Sequence, residues 1–258
     1  MPQPPYRLLT ALPVYNEASH VDGVLDCVVR CADDVLVVDD GSSDGTSKLL
    51  ERRKDVRVVT HNPNRGYGAA LQTAFCYARK HGYDVIVTID CDGQHEPALI
   101  RELADRCWNE QVDIVSGSRY LETSTSTGVA PPADRRRINQ TITAELNERF
   151  GLGLTDAFCG FKAYRVPPLR QLRLEEEGYA MPLELWAEAA HHGLSVVEAA
   201  VPRIYLEEKR SFGGELDQAE TRLAHYREVI DRAVDRTQTA AAVGVMAPDP
   251  CGAWVEQG

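Results

Sequence analysis

Residues 83–94 have the sequence YDVIVTIDCDGQ, in which an apolar run leads directly into acidic residues. A continuous apolar run of this length is typical of a strand that is buried on both faces of a parallel sheet. Asp90, Asp92 and Gln94 follow at two-residue steps, so their side chains project to one side if the chain stays extended. Carboxylate and amide oxygens are ligands that Mg²⁺ and Mn²⁺ prefer. We therefore predict that Asp90, Asp92 and Gln94 hold Mg²⁺ or Mn²⁺.

Short apolar runs and amphipathic segments alternate on both sides of this run. Predicted strands span residues 7–14, 34–38, 56–60, 83–89 and 112–116, and predicted helices span residues 19–30, 44–53, 66–81 and 97–109. This alternation favours an α/β fold with a mostly parallel, Rossmann-like sheet flanked by helices. In such sheets ligands bind beyond the carboxyl ends of the strands, where the polar motifs of this sequence lie.

The second half of the chain has a less regular pattern. Residues 121–134, rich in Ser, Thr, Gly and Pro, are predicted to form a flexible loop. Further helices are predicted over residues 136–150, 181–192 and 216–236, and further strands within residues 155–166 and 194–201. The last helix carries Leu223, Tyr226, Ile230 and Val234 at helical spacing, so we expect it to pack on its own domain. We predict one domain over residues 1–236 and a flexible tail over 237–258.

The composition excludes several classes of protein. Of the 258 residues, 43% are hydrophobic and 26% are charged, as in soluble globular domains. The net charge of −11 argues against nucleic-acid binding, which needs a basic surface. The local basic run from Arg135 to Arg137 is either a solvated face or a site for one anionic ligand. No feature of the sequence specifies an oligomeric state.

Apolar segments and cysteines bear on the cellular location. No segment has the apolar length of a membrane helix, and the N-terminus lacks the apolar region of a signal peptide. The seven cysteines are scattered, and Cys27 and Cys31 have no second pair at zinc-site spacing. We interpret all seven as reduced thiols. These features predict a cytoplasmic protein without a transmembrane segment, and they leave open a peripheral contact with the inner face of the membrane.

A polar motif, LPVYNE, follows the first predicted strand at residues 12–17. A dinucleotide-binding protein has a glycine-rich loop at this place, which this sequence lacks. The ring of Tyr15 can stack on a base, and the carboxylate of Glu17 can accept a hydrogen bond from a base or a ribose. The structural alternative is an ordinary strand-to-helix turn with acidic residues near a helix N-terminus.

Two more motifs follow the second and third predicted strands. Residues 37–46 read VVDDGSSDGT and place Asp39 and Asp40 where carboxylates can accept from a ribose or a base. The alternative is that this segment supplies a helix cap, although adjacent carboxylates repel and are hard to explain by structure alone. Residues 62–70 read NPNRGYGAA and place Gly66 at a predicted helix start, a position that favours an anionic group.

The motifs PVYNE at residues 13–17, VDDGSSDGT at 38–46 and DCDGQ at 90–94 occur in this order. Together they resemble the family-2 glycosyltransferases of the GT-A fold, and most of all the dolichyl-phosphate mannose synthase type and its bacterial polyprenyl-phosphate relatives. The resemblance covers residues 6–210. It implies a metal-dependent, inverting transfer of a hexose, with mannose or glucose favoured, from a nucleotide diphosphate sugar to a polyprenyl or dolichyl phosphate.

The resemblance also implies roles for single residues. Pro13, Tyr15 and Glu17 would hold the base region of the nucleotide, Asp39 the base or ribose, and Asp90, Asp92 and Gln94 the metal and diphosphate. Arg119, in the segment GSR at residues 117–119, would meet a phosphate, and Arg136 would be a second arginine, with Arg135 and Arg137 as rivals. Asp156 begins the segment DAFCGFK, which resembles a family segment near the reaction centre. The nucleotide-sugar half would span residues 6–120, and the acceptor half residues 121–214.

Several alternatives remain open at this point. If the acceptor is a hydroxyl of a saccharide or small molecule, a carboxylate must take its proton, and Asp156 is the candidate. A nucleotidyltransferase would want a glycine-rich loop after the first strand. The nucleophile loop of haloacid-dehalogenase phosphatases resembles residues 90–93, but it follows a first strand. A non-catalytic nucleotide-sugar sensor is the last alternative. The absence of membrane helices and a loosely matching basic segment at residues 208–214 depart from the family pattern and bear on the acceptor.

Overall fold

A seven-stranded sheet forms the centre of the structure, which is a computed structural model that describes residues 5–128, 132–205, 214–243 and 251. Its strands are β1 (Leu8–Val14), β2 (Asp34–Asp39), β3 (Arg57–Thr60), β4 (Val85–Thr88), β5 (Ile114–Ser118), β7 (Lys162–Arg165) and β8 (Val196–Ala200), in the order β3-β2-β1-β4-β7-β5-β8. A separate pair is formed by β6 (Ser126–Gly128) and β9 (Arg203–Tyr205). Only β7 runs antiparallel to its two neighbours in the large sheet, which confirms the predicted mostly parallel sheet.

Helices cover both faces of this sheet, as continuously apolar strands require. They are α1 (Val21–Val28), α2 (Thr46–Leu50), α3 (Tyr67–Lys80), α4 (Ile100–Asn109), α5 (Ala133–Phe150), α6 (Met181–His191) and α7 (Ala219–Val243). One core lies between the sheet and α3, α5, α6 and α7, with Trp186 and Tyr164 among its largest members. The other core lies between the sheet and α1 and α4, where Leu25 and Leu103 are buried.

Two predicted segments differ from the structure. The segment predicted as a loop over residues 121–134 contains β6, which pairs in parallel with the distant β9. Its Ser, Thr and Gly residues carry no strand pattern, so the pairing depends on a partner far along the chain. The helix predicted to end at Arg236 continues to Val243, although α7 packs on α6 and α5 as expected. Residues 206–213, with most of the basic segment discussed above, lie outside the described residues.

The interpretation of all seven cysteines as reduced thiols is wrong for one pair. Cys76 on α3 forms a disulfide with Cys251, which is 175 residues further along the chain. Cys251 therefore lies against α3, a contact that no local pattern predicts. The other five cysteines are free thiols in the structure. Among the helices that the structure describes, none combines the length and the apolar character needed to cross a membrane.

Candidate active site

A cavity of about 830 Å³ opens at the carboxyl ends of β1, β4 and β5. It is lined by residues of all the predicted motifs, including Tyr15 and Glu17 after β1, Asp90 and Asp92 after β4, and Arg119 after β5. The parallel strands bring these ends to one edge of the sheet, as ligand sites in open α/β sheets require. The sequence motifs therefore meet in space.

Hydrogen bonds tie the motif after β1 to the motif after β2. The backbone N–H of Asn16 donates to Ser42 Oγ at 3.0 Å, and the N–H of Glu17 donates to Thr46 Oγ1 at 2.9 Å. Asn16 adopts a φ of 55°, a left-handed conformation that asparagine tolerates better than most residues. This turn leaves the ring of Tyr15 46% exposed at the cavity, with Pro13 beside it.

Asp39 is fully buried and lies outside the cavity lining. Its Oδ1 accepts a hydrogen bond from Ser42 N at 3.1 Å, and its Oδ2 accepts one from Ser47 Oγ at 2.6 Å. In this arrangement Asp39 shapes the loop after β2. Its predicted contact with a base or ribose needs a different arrangement of this loop and stays a prediction.

Asp40 lines the cavity and also holds the loop after β3. Its Oδ1 lies 2.7 Å from Nδ1 of His61 and accepts from Arg65 N at 2.9 Å. Its Oδ2 accepts from Gly66 N at 2.7 Å. The N–H of Gly66, predicted to meet an anionic group, is therefore used within the protein. Asp39 ends β2 and Asp40 follows it, and the two adjacent carboxylates accept from separate sets of donors.

Asp90 is held on three sides. The hydroxyl of Tyr67 donates to Oδ1 at 3.0 Å, and Nε2 of His95 lies 3.2 Å from Oδ2. A Cβ at Gly160 would lie 2.2 Å from Oδ2, so only glycine leaves room on that side. Burial by itself raises the pKa of Asp90, but the hydrogen bond and charge of His95 and the hydroxyl of Tyr67 keep that pKa below its usual value. The carboxylate is therefore ionised and fixed at the end of β4.

The predicted metal ligands Asp92 and Gln94 line the cavity together with Asp90. The chain turns at Gly93, with a φ of 71°, where the prediction assumed an extended segment. Asp92 Oδ1 accepts a hydrogen bond from Gln94 N at 2.9 Å across this turn. Among the described residues, no three His, Cys, Asp or Glu side chains form a metal-binding group. Mg²⁺ is commonly held by one or two carboxylates plus substrate phosphates, so Asp90 and Asp92 fit such an ion.

Arg119 and Asp156 form a bidentate ion pair. The Nε–Oδ2 distance is 2.7 Å and the Nη2–Oδ1 distance is 3.0 Å, while Asn139 donates to Oδ1 at 2.8 Å. Burial by itself raises the pKa of Asp156, but the charge and hydrogen bonds of Arg119 lower it to about 2. Asp156 is fully buried behind the cavity, whereas Arg119 lines it. A carboxylate in this environment is a poor base, and the predicted proton transfer to Asp156 from a hydroxyl acceptor stays a prediction.

The candidates for the second predicted arginine lie at different positions relative to the cavity. Arg135 lines the cavity and its Nη1 donates to the hydroxyl of Tyr205 at 3.3 Å, whereas Arg136 is exposed outside the lining. Arg135 shares a helix face with the buried residues Ile138 and Asn139, three and four positions further along α5. Arg136 is rotated from that face by about 100°. Arg135 therefore lies at the cavity and Arg136 does not, and the role of the second arginine stays a prediction.

Helix α7 contributes two residues that the sequence did not assign to the site. Arg222 and Tyr226 line the cavity, and the ring of Tyr226 lies 5.1 Å from that of Phe158. Arg222 Nη2 donates to Asp134 at 2.9 Å, which ties the start of α7 to the start of α5. Helical spacing identifies Tyr226 as a packing residue. No local signal shows that it also faces a cavity built by distant segments.

Comparisons with known proteins bear on the family of this chain. The model of the family named Glycosyl transferase family 2 matches residues 10–173. The chain belongs to glycosyl transferase family 2. It is 32% identical over 211 residues to polyprenol monophosphomannose synthase of Mycolicibacterium smegmatis, covering 77% of this chain and 78% of that protein. It is also 32% identical over 226 residues to undecaprenyl-phosphate mannosyltransferase of Micrococcus luteus, covering 83% and 90%.

A solved structure shows the same fold. Glucosyl-3-phosphoglycerate synthase from Mycobacterium tuberculosis, in complex with Mn²⁺, UDP-glucose and phosphoglyceric acid, matches with a TM-score of 0.68 and 18% identity, covering 90% of this chain and 80% of that one. At this identity the likeness supports the fold alone. Membership of glycosyl transferase family 2 confirms the predicted family and GT-A fold, and it makes the protein a glycosyltransferase. The alternatives of a nucleotidyltransferase and of a haloacid-dehalogenase phosphatase are left without support.

Proposed function

We propose that this family-2 glycosyltransferase transfers a hexose from a nucleotide diphosphate sugar to a polyprenyl phosphate, with inversion at the anomeric carbon. One observation carries the proposal: a single cavity contains an acidic pair, Asp90 and Asp92, and a basic pair, Arg119 and Arg135. The acidic pair suits a metal-bound diphosphate, and the basic pair suits a second anion. The names of the two relatives combine a polyprenyl phosphate with mannose, which supports mannose as the sugar.

The nucleoside of the donor is assigned to the end of the cavity at β1. Pro13, Tyr15 and Glu17 line that end, and an exposed tyrosine ring offers a stacking surface to any base. Asp90 and Asp92, after the neighbouring β4, then receive the diphosphate. The donor therefore lies across the carboxyl ends of two adjacent strands.

A phosphate acceptor fits the basic end of the cavity better than a hydroxyl does. Among the described lining residues, the carboxylates are Glu17, Asp40, Asp90 and Asp92, which belong to the nucleotide and diphosphate motifs. Among the described residues, the carboxylate bound to Arg119 is that of Asp156, which is buried and has a pKa of about 2. Among the described residues at this end of the cavity, a hydroxyl acceptor therefore has no carboxylate to act as its base. A phosphate oxygen is already ionised and needs none.

These positions give each residue a part in the transfer. Asp156 holds the guanidinium of Arg119, and Arg119 and Arg135 orient the acceptor phosphate by charge-assisted hydrogen bonds. The acceptor oxygen attacks the anomeric carbon on the face opposite the diphosphate, and the bond from that carbon to the diphosphate oxygen breaks. Asp90 and Asp92 would hold a divalent ion, which would supply positive charge next to the departing diphosphate. Tyr67 and His95 keep Asp90 oriented for this purpose.

The test is a transfer assay with GDP-mannose, UDP-glucose and other nucleotide sugars, each with and without Mn²⁺. The acceptors are a short-chain polyprenyl phosphate, the matching polyprenol and 3-phosphoglycerate. Of the three acceptors, we expect only the polyprenyl phosphate to give a product, and only in the presence of the metal. The transfer rate of Asp92→Asn should be at least about 100-fold lower than that of the wild type. Transfer to the polyprenol would contradict the phosphate acceptor. Transfer to 3-phosphoglycerate alone would contradict the lipid.

A lipid phosphate acceptor also requires contact with a membrane surface. We expect the protein to co-sediment with vesicles that contain polyprenyl phosphate more than with vesicles of the same lipids without it. Arg135→Gln should reduce this difference because it removes one of the two cations assigned to the acceptor phosphate. Equal binding to both vesicles would show that the cavity does not recognise the lipid phosphate.

A further inference from the structure

Two exposed tyrosines stand out along the cavity. Among the described residues, three large hydrophobic side chains are more than a third exposed, namely Tyr15, Val58 and Tyr179. Val58 lies on the edge strand β3, whereas both tyrosines line the cavity, with exposures of 46% and 45%. Exposed aromatic rings at a cavity are typical of ligand-contacting positions. Tyr15 is assigned to the base, but Tyr179 has no role in the proposed transfer.

Tyr179 lies one ring away from the carboxylate assigned to the metal and diphosphate. Its ring stacks on that of Tyr67, with centroids 5.7 Å apart and an interplanar angle of 19°. The hydroxyl of Tyr67 in turn donates to Asp90 Oδ1 at 3.0 Å. One face of Tyr179 is therefore occupied by Tyr67, while the ring as a whole lines the cavity.

The segment before Tyr179 is fixed by hydrogen bonds from three helices. The backbone N–H groups of Glu175 and Glu176 both donate to Glu184 Oε2 on α6 at 2.8 Å. The carbonyl of Glu177 accepts from Ala69 N on α3 at 3.1 Å. Arg232 on α7 donates to Glu176 Oε2 at 3.0 Å. The ring is thus held in place before a ligand arrives, which lowers the entropic cost of binding.

We propose that Tyr179 is the platform on which the sugar ring of the donor stacks, a role that rests on the proposed function. A hexopyranose presents C–H bonds on a face of its ring, and these are attracted to the negative face of an aromatic ring. The sugar is bonded to the distal phosphate of the donor, so it lies next to the diphosphate site at Asp90. Tyr15 lies at the other end, beside the nucleoside. The two tyrosines therefore contact different parts of one donor.

The test compares the binding of a nucleoside diphosphate with that of its hexose conjugate, in the presence of Mn²⁺, by isothermal titration calorimetry. The nucleobase of both ligands is that of the donor identified in the transfer assay. For Tyr179→Ala we expect the affinity for the sugar conjugate to fall about tenfold, the size of one aromatic contact, with the affinity for the diphosphate unchanged. Tyr179→Phe should keep both affinities. The matched control is Tyr15→Ala, at a tyrosine of the same exposure, which should weaken both ligands equally.

Other results would overturn the assignment. Equal weakening of both ligands by Tyr179→Ala would place the ring against the nucleoside or diphosphate. No weakening of either ligand would show that the ring does not contact the donor. If the wild type binds the diphosphate with Mn²⁺ and Tyr179→Ala shows either of these patterns, only the role of Tyr179 as sugar platform is refuted. A wild-type protein that binds no nucleoside diphosphate at all refutes the proposed function as well.

Discussion

Among single residues, Tyr67 holds the carboxylate of Asp90 through the hydrogen bond from its hydroxyl. Burial, together with the charge of Asp90, raises the pKa of Tyr67 well above its usual value, so the hydroxyl stays protonated and donates. Tyr67→Phe removes this donor and keeps the ring that stacks on Tyr179. We expect the Mn²⁺ concentration for half-maximal activity to rise by about 10-fold or more, because hydrogen bonds behind a metal ligand orient it.

The matched control for this change is Tyr6→Phe. Tyr6, which precedes β1, also donates its hydroxyl to an aspartate, Asp105 at 2.5 Å, but it does not line the cavity. This variant should leave the Mn²⁺ dependence unchanged. If Tyr67→Phe also leaves it unchanged, the hydroxyl of Tyr67 does not orient Asp90.

The ion pair of Asp156 and Arg119 should make the unfolding free energy depend on pH. Asp156→Asn leaves a largely buried guanidinium without its counter-charge and should cost about 3 kcal/mol of unfolding free energy at neutral pH. The folded pKa of Asp156, about 2, lies below its unfolded value of about 3.9, so the carboxylate stabilises the fold above pH 4. That contribution is lost as the pH falls from about 4 to about 2.

Urea denaturation of the wild type and Asp156→Asn at a series of pH values measures this directly. The difference in unfolding free energy should be constant from about pH 7 to about pH 5 and shrink below about pH 4. A difference that does not change down to the lowest pH at which both proteins fold would show that Asp156 is not held by the charge of Arg119.

At the scale of elements, two helical glycines have opposite surroundings. A Cβ at Gly68, in the first turn of α3, would lie 2.3 Å from the carbonyl oxygen of Glu176 and 2.7 Å from Met181 Cβ. A Cβ at Gly23 in α1 would have no atom within 4 Å. We expect Gly23→Ala to stabilise the protein by about 0.5–1 kcal/mol, because alanine favours a helix. Gly68→Ala should destabilise it by about 2 kcal/mol through overpacking.

Thermal or urea unfolding of both variants is the measurement. Equal stabilisation by the two alanines would contradict the close packing of α3 on residues 176–181. Such a result would also argue against the fixed position of Tyr179, the sugar platform, because residues 176–181 carry its ring.

The sequence predicts elements with a clear local pattern, but it does not predict the contacts between distant elements. The strands before Asp39 and Asp90 are continuously apolar, and their helices are amphipathic, so local pattern was enough for the first half of the sheet. The choice between Arg135 and Arg136 depended on where α5 begins and on which face meets the cavity, which no local pattern specifies. The pairing of β6 with β9 and of Cys76 with Cys251 joins distant segments, and each is invisible until the chain is folded.

At the scale of the whole molecule, α7 links the far end of the chain to the donor site. Arg236 Nη2 donates to Glu184 Oε1 at 2.7 Å and to Glu188 Oε1 at 3.2 Å, and both glutamates are buried on α6. Glu184 in turn holds the backbone before Tyr179. A continuous chain of contacts therefore runs from α7 through α6 to the wall of the cavity.

Arg236→Met tests this link because it keeps the packing of the stem and removes the charge. It should cost about 3 kcal/mol of unfolding free energy near pH 8, since two buried carboxylates lose their partner. Burial already raises the pKa of Glu184 against the opposing charge of Arg236, so the variant raises it further. When the pKa of Glu184 is higher in the folded state than in the unfolded state, its protonation stabilises the fold at a pH below the unfolded-state pKa. This stabilisation is lost as the pH rises through the folded-state pKa. The deficit of Arg236→Met should therefore be smaller near pH 5 than near pH 8.

Arg227→Ala is the matched control, because Arg227 lies on the same helix and pairs with Glu145 on the exposed surface. It should change neither stability nor donor binding measurably, as is usual for exposed ion pairs. Arg236→Met should also weaken the sugar conjugate more than the free nucleoside diphosphate, because the segment that carries Tyr179 loses its support. If Arg236→Met destabilises the protein but weakens both ligands equally, then α7 supports the fold without positioning the sugar platform.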